Sequence, residues 1–188
     1  MAHWAFLVPL IPAVTYFGIL LIGKRLGERC AYVGISALVV CWVMSLVIAY
    51  QWIDNREVVR ESITWFDSSG ALGGQVRIGT HIDGLSVMML VVVTSISLLV
   101  HIYSLAYLHD DRRFTHYYAA LSLFSASMLM LVIADNTLAL LTSWELVGLC
   151  SYMLVLILAL GVFPRILFHV TDDAVKNMTD GISAAIAR

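Results

Sequence analysis

The chain is predicted to be an all-α integral membrane protein of five transmembrane helices, with a small β-hairpin in one connecting loop. Three observations carry that prediction. Of 188 residues, 61% are hydrophobic and only 13% charged, where soluble domains carry about 25% charged residues. The apolar residues gather into five runs, each long enough to cross the hydrocarbon layer. The one long stretch between runs holds two β-prone segments separated by turn formers. Mean hydropathy is +0.89, and a soluble domain so apolar would have no surface to present to water. A net charge of −2, with no basic patch interleaved with aromatics, speaks against a nucleic-acid partner. Cys30, Cys41 and Cys150 are widely spaced, match no metal-ligand pattern and suggest no disulfide framework.

The first run, Trp4–Gly23, lacks a basic n-region and is longer than the apolar core of a secretory signal, so it is expected to be a retained span. It contains Pro9 and Pro12, tolerated in membrane helices where neighbours re-satisfy the freed backbone. The second run is Cys30–Ile53, the third Asp83–Tyr107, the fourth Tyr117–Ala134 and the fifth Asn136–Phe163. With the N-terminus outside, the inner segments hold Lys24, Arg25, Arg29, Arg112, Arg113, Arg165, Lys176 and Arg188, against Arg56, Arg60 and Arg77 outside. That bias predicts N-out, C-in.

The outer loop, Asp54 to Ile82, places Ser62–Phe66 and Gln75–Ile78 on either side of Ser68-Ser69-Gly70 and Gly73-Gly74. A hairpin over the outer membrane face is expected, either covering helix ends or docking a neighbouring subunit. Only Ala134-Asp135-Asn136 joins the fourth and fifth runs. So short a link forces an antiparallel pair, with Asp135 expected to cap a helix. Pro164 ends the last run, and Thr171 to Arg188 reads as a polar cytoplasmic tail.

Glu145 is the acidic residue set deep within a span, in Thr142-Ser143-Trp144-Glu145-Leu146-Val147-Gly148-Leu149-Cys150-Ser151-Tyr152. Placing a carboxylate at mid-membrane costs about 2.5–3.5 kcal/mol even on insertion scales, and such groups face protein or water and carry function. Thr142, Gly148 and Tyr152 share its helical stripe. Small and hydroxyl-bearing residues let another helix approach closely, so Glu145 is expected to face protein or a hydrated path. A proton affinity that depends on a nearby cation is the basis of a relay. The competing reading is a neutral Glu145 that only cross-links helices. His101, in the inner third of the third run, is a weaker relay candidate, because a lone histidine on an apolar helix is usually just bonded to a neighbour. Leu121, Phe124, Met128 and Met130 are packing residues. Lys24 and Lys176 both lie outside the spans, and no haem-ligand pair, Fe–S pattern, phosphate loop or nucleophile elbow occurs. No catalytic centre of its own is expected.

Several blocks in register carry a family resemblance: Ile82-Asp83-Gly84-Leu85-Ser86, His101-Ile102-Tyr103-Ser104, Ser127-Met128 through Asn136, and Trp144 to Tyr152. They resemble the N-terminal part of subunit L (chain 5) of bacterial NADH-quinone oxidoreductase, respiratory complex I. The large sibling component of the multisubunit Na⁺/H⁺ antiporters shares much of the pattern. The resemblance implies an antiporter-like fold of inverted repeats with broken helices, of which this chain holds a part. It implies proton translocation with Glu145 as the essential carboxylate and a partner lysine on a later helix; Thr142 and Tyr152, read from the shared stripe, are supporting candidates. Partners would be membrane-arm subunits of types M, N and K in a bacterial inner (plasma) membrane. The chain itself would bind no cofactor, since NADH, FMN, Fe–S clusters and quinone belong to other subunits. The resemblance to subunit L covers residues 1–155. Residues 156–188 instead resemble the C-terminal end of subunit M, through Gly161-Val162-Phe163-Pro164, which suggests a truncated or fused subunit. The alternatives are a non-transporting membrane fragment or scaffold and a multisubunit Na⁺/H⁺ antiporter subunit.

Overall fold

A computed structural model describes residues 4–27, 29–55, 58–67, 75–107 and 114–162. Among these residues the chain forms five helices and one two-stranded hairpin: α1 (Leu7–Leu26), α2 (Arg29–Asn55), β1 (Val59–Asp67), β2 (Gln75–Ile82), α3 (Gly84–Tyr107), α4 (Phe114–Ile133) and α5 (Thr137–Val162). The α2, α3, α4 and α5 helices are each long and apolar enough to cross a membrane. The first helix has the expected length but starts three residues later and runs on to Leu26, so its apolar part is shorter than the expected span. Its apolar part is Leu7–Gly23, because Trp4 to Phe6 form a turn and Lys24 follows the last apolar residue. The predicted tail, the hairpin turn and the junction at Gly161 to Arg165 lie wholly or largely outside the described residues.

Helix α4 is the centre of the bundle, with 61% of its span buried against 11% of that in α5. Its sequence explains this. Ala119, Ala120, Ser122, Ser125, Ala126 and Ser127 are buried, and small residues let neighbouring backbones approach closely. Their hydroxyls make no demand on those neighbours: Ser122, Ser125 and Ser127 donate to the Tyr118, Leu121 and Leu123 carbonyls of α4 itself, at 3.0 Å or less. Helices α1, α2 and α3 pack around α4. The apolar core joins Val8 of α1, Cys41 and Ile48 of α2, Leu90 of α3 and Leu129 and Ile133 of α4.

Polar side chains tie the helices together at three levels. Pro12 lies inside α1 and lacks the N–H that would bond the Val8 carbonyl. The Cys41 thiol of α2 donates to that carbonyl instead, at 3.3 Å. Between α2 and α3, Trp42 Nε1 donates to Ser95 Oγ at 2.9 Å, and the Ser45 and Thr94 hydroxyls lie 2.9 Å apart. Between α3 and α4, the Tyr118 hydroxyl donates to the His101 carbonyl at 2.8 Å.

The hairpin is antiparallel, with Val59 opposite Ile82 and Asp67 opposite Gln75, and a bulge between Thr64 and Phe66. Both strands run longer than the β-prone segments alone suggest. The end of β2 is fastened to the α4–α5 corner. Thr80 bridges Ala134, and Gly79 N–H donates to Asp135 Oδ1 at 3.1 Å. A Cβ at Gly79 would collide with the Asp135 carboxylate and the Glu61 carbonyl, so the close approach requires glycine. Asp135 is therefore not the cap of α5. Asn136 is: its Oδ1 accepts the Ala139 N–H at 2.7 Å. Asp83 caps α3 in the same way, accepting the Ser86 N–H at 2.8 Å. That bond, above all, holds the Asp83 carboxyl below the usual carboxylate range.

Candidate functional site

Helix α5 has two faces of different fate, and the arithmetic of a helix at 3.6 residues per turn separates them. Ala139, Ser143 and Cys150 are buried and form the face turned toward α4, where the Cys150 thiol meets the Ser127 hydroxyl. Glu145 is two residues past Ser143, a rotation of about 200°, and so points the opposite way. It lies eight residues beyond Thr137, about 12 Å along the helix. The carboxylate sits at mid-span on the side of α5 that the described residues leave open.

The expected companions do share that side. Thr142, Gly148 and Tyr152 are all exposed, as are Leu141 and Leu149. A Cβ built at Gly148 would meet nothing within 4 Å, so no helix among the described residues packs over the stripe. The protein or hydrated path expected beside Glu145 is thus not supplied by the described residues. The Thr142 hydroxyl turns back to the Leu138 carbonyl at 2.9 Å, and Tyr152 is 65% exposed. Neither is bonded to Glu145.

His101 is not brought together with Glu145. It is fully buried where α3 meets α4. Its Nδ1 lies 2.8 Å from the Ser97 carbonyl, and a carbonyl only accepts, so Nδ1 carries the proton. In the neutral ring Nε2 is then an acceptor, and among the described residues it has no partner. The ring stands edge-on to Tyr118, with centroids 5.8 Å apart. Ser104, one turn on, lies 3.2 Å from the Tyr117 hydroxyl. Thr94, Ser97, His101 and Ser104 are all buried and form one polar seam on α3. Their spacing of three, four and three is visible in the sequence and marks a single helix face. Tyr117 and Tyr118, which close the seam from α4, carry no such signal.

Outside the spans, Arg60 Nε donates to His81 Nδ1 at 2.9 Å, and His81 Nε2 stands 3.8 Å from Asp83 Oδ2. Among the described residues, no cluster of His, Cys, Asp or Glu could hold a metal ion. The chemistry on offer is one carboxylate at membrane depth and one enclosed imidazole.

Residues 65–118 match the family described as NADH-Ubiquinone oxidoreductase (complex I), chain 5 N-terminus. F(420)H(2) dehydrogenase subunit L of Methanosarcina mazei is 39% identical over 156 residues, 82% of this chain and 22% of that protein. NADH-quinone oxidoreductase subunit L of Neisseria meningitidis is 35% identical over 153 residues, 79% of this chain and again 22% of the relative. The chain therefore spans less than a quarter of the relatives it matches. Among solved structures, the Mrp complex from Dietzia aligns at a TM-score of 0.58 and 29% identity, covering 79% of this chain and 16% of the other. The membrane-bound sulfane sulfur reductase, an archaeal respiratory membrane complex, aligns at 0.66 over 79% of this chain and 29% of its own. At 11% identity, that second likeness concerns the fold alone.

Proposed function

The chain belongs to the N-terminal portion of the NADH-quinone oxidoreductase subunit L / chain 5 family, and from that we propose that it serves as a membrane subunit of a proton-translocating respiratory complex. Glu145 is the proton-binding carboxylate in this reading. The observation that carries it is the position of that side chain, at mid-span on an open face rather than in the bundle. A carboxylate facing hydrocarbon costs about 2.5–3.5 kcal/mol or more. A covering helix, bringing a hydrogen-bond donor or a cation, removes that cost. Gly148 and Thr142 on the same stripe leave space for it to come close. The bundle of α1 to α4 is then a support that holds α5 with its functional side outward.

The membrane-arm subunits of types M, N and K are the partners in this proposal. NADH, FMN, Fe–S clusters and quinone stay with other subunits, and this chain supplies part of a half-channel. Its Lys and Arg distribution supports an N-out, C-in topology in a bacterial plasma membrane. The test is Glu145→Gln, which keeps size and hydrogen bonding but cannot exchange a proton. We expect proton pumping by membranes carrying the complex to fall while the subunits still assemble. Unchanged pumping refutes the relay role of Glu145.

A second reading, a multisubunit cation/proton antiporter subunit, is favoured by the 29% identity to a chain of the Mrp complex from Dietzia. Proton movement that requires Na⁺ on the opposite side, and is indifferent to NADH, would select it.

A further inference from the structure

Along its length α5 has little to fix its tilt, since Ala139, Ser143 and Cys150 are its buried side chains among the described residues. Its first turn is held differently. Asn136 caps the helix through the Ala139 N–H at 2.7 Å, and the Asn136 carbonyl accepts the Leu140 N–H at 3.0 Å. The corner and the first turn therefore move as one piece. That piece is bonded to the hairpin: Gly79 N–H donates to Asp135 Oδ1 at 3.1 Å, and Thr80 bridges Ala134.

The strand on the other side of these bonds is a fixed point. Ile82, at the end of β2, is fully buried and shares the apolar core with Leu90, Leu129 and Ile133. Asp83 follows it directly and caps α3. Gly79 and Thr80 stand just before that anchor on the same strand, so β2 is a strut rooted in the core of α3 and α4 and reaching the base of α5. Strand and corner meet at backbone distance, because a Cβ on Gly79 would collide with the Asp135 carboxylate and the Glu61 carbonyl.

Leverage gives this contact its reach. Glu145 lies ten residues beyond Asp135, about 15 Å along the helix. Helix pairs of one packing class scatter by about 15–20° in crossing angle, so a tilt of about 10° is within ordinary latitude. Taken about the corner, such a tilt carries Glu145 by roughly 3 Å. A misplacement of about 1 Å can already cost about a hundredfold in rate.

We propose that the Gly79–Asp135 latch lets the hairpin set the tilt of α5, and that Asp135 is thereby a positioning residue for Glu145; the second half rests on the reading of Glu145 as the proton-binding carboxylate. The latch is tested on the full chain in lipid nanodiscs, by the distance between spin labels at Val40→Cys of α2 and Leu149→Cys of α5. Both positions are exposed, and Cys30, Cys41 and Cys150 are buried, which leaves the two introduced thiols to react. Asp135→Ala removes the acceptor and should widen the distance distribution by several ångström. Gly79→Ala breaks the contact from the strand side and should widen it likewise. Asp135→Asn, whose amide oxygen still accepts the Gly79 N–H, should restore the wild-type distribution. The latch is overturned if either alanine variant keeps the wild-type distribution, or if Asp135→Asn is as broad as Asp135→Ala.

The positioning role is tested in membranes carrying the complex. At equal subunit content, Asp135→Ala should lower proton pumping severalfold and Asp135→Asn should recover it. Wild-type pumping by Asp135→Ala, where Glu145→Gln abolishes it, would overturn the positioning role. Normal pumping by Glu145→Gln overturns the relay reading and the positioning role together, but not the latch, which the label distances decide on their own.

Discussion

Replacing Cys41 by alanine should destabilise the bundle, and the part of that cost due to the lost hydrogen bond should vanish once Pro12 is also replaced by alanine. The reasoning starts from the missing N–H of Pro12, which leaves the Val8 carbonyl without its helical partner. The Cys41 thiol is 3.3 Å from that oxygen, and Val8 and Cys41 are both fully buried. Removing the thiol strands a buried carbonyl, at a cost of about 1–3 kcal/mol, and no lipid can replace the bond. It also leaves a small void where the sulfur was, which costs the same in either background. Interhelical hydrogen bonds in membranes average about 0.6 and reach about 1.7 kcal/mol. A thiol is a weak donor, so the coupling between the two sites should be about 1 kcal/mol, the void term having cancelled. The assay is a double-mutant cycle on unfolding in mixed detergent micelles, followed by circular dichroism. Cys41→Ser, which keeps a donor in place, should lie nearer wild type than Cys41→Ala. An equal penalty for Cys41→Ala in the wild-type and Pro12→Ala backgrounds would refute the account, and the thiol would then be merely packed against α1.

Two other expectations follow from the same geometry. The Asp83 carboxyl is held low by the Ser86 N–H, so its contribution is full above the unfolded carboxylate range near pH 3.9 and is lost as pH falls through the lower folded value. Acid titration of thermal stability should therefore show an acid-side loss that Asp83→Asn flattens. Gly148→Leu should leave the isolated chain as stable as wild type or slightly more so, because the site is open and glycine is a poor helix former by about 1 kcal/mol. In the assembled complex the same change should lower the yield of co-purified partner subunits, and normal assembly would show that this stripe is left to lipid.

What the sequence made legible follows from how membranes constrain chains. Each span announces itself by length, because the bilayer demands about 20 apolar residues in a row. The hairpin is visible because Gly70, Gly73 and Gly74 separate two β-prone segments. Which side of α5 packs inward was not legible. The helix is apolar on nearly every side, so hydrophobic periodicity gives no direction. Small residues occur both at Thr142 and Gly148 and at Ala139, Ser143 and Cys150, and either stripe qualifies as a close-packing face by the usual signature. Among the described residues the second faces α4 and the first is open. Asp135 and Asn136 pose the same problem on a smaller scale. Both residue types cap helices well, and the choice is decided by the Gly79 N–H, more than fifty residues upstream.

The orientation of Glu145 also gives the rest of the chain a reason for its shape. Had the carboxylate turned toward α4, it would have met Ser127 and the small buried residues beside it, a site with hydroxyls that already donate to their own backbone. Such a site offers no free donor and no cation, and the acid would stay neutral and structural. Turned outward, the side chain depends wholly on what is brought against α5. That dependence is what a coupled relay needs, because an acid responds to a distant event only if its surroundings can change. The bundle built from α1 to α4 is tied internally by Cys41, Trp42, Ser45, Thr94 and Tyr118, whereas α5 rests on α4 through one narrow face. In the proposed relay, a support so tied, carrying an α5 held through one face, would let the covering partner, rather than the core of α1 to α4, set the state of Glu145.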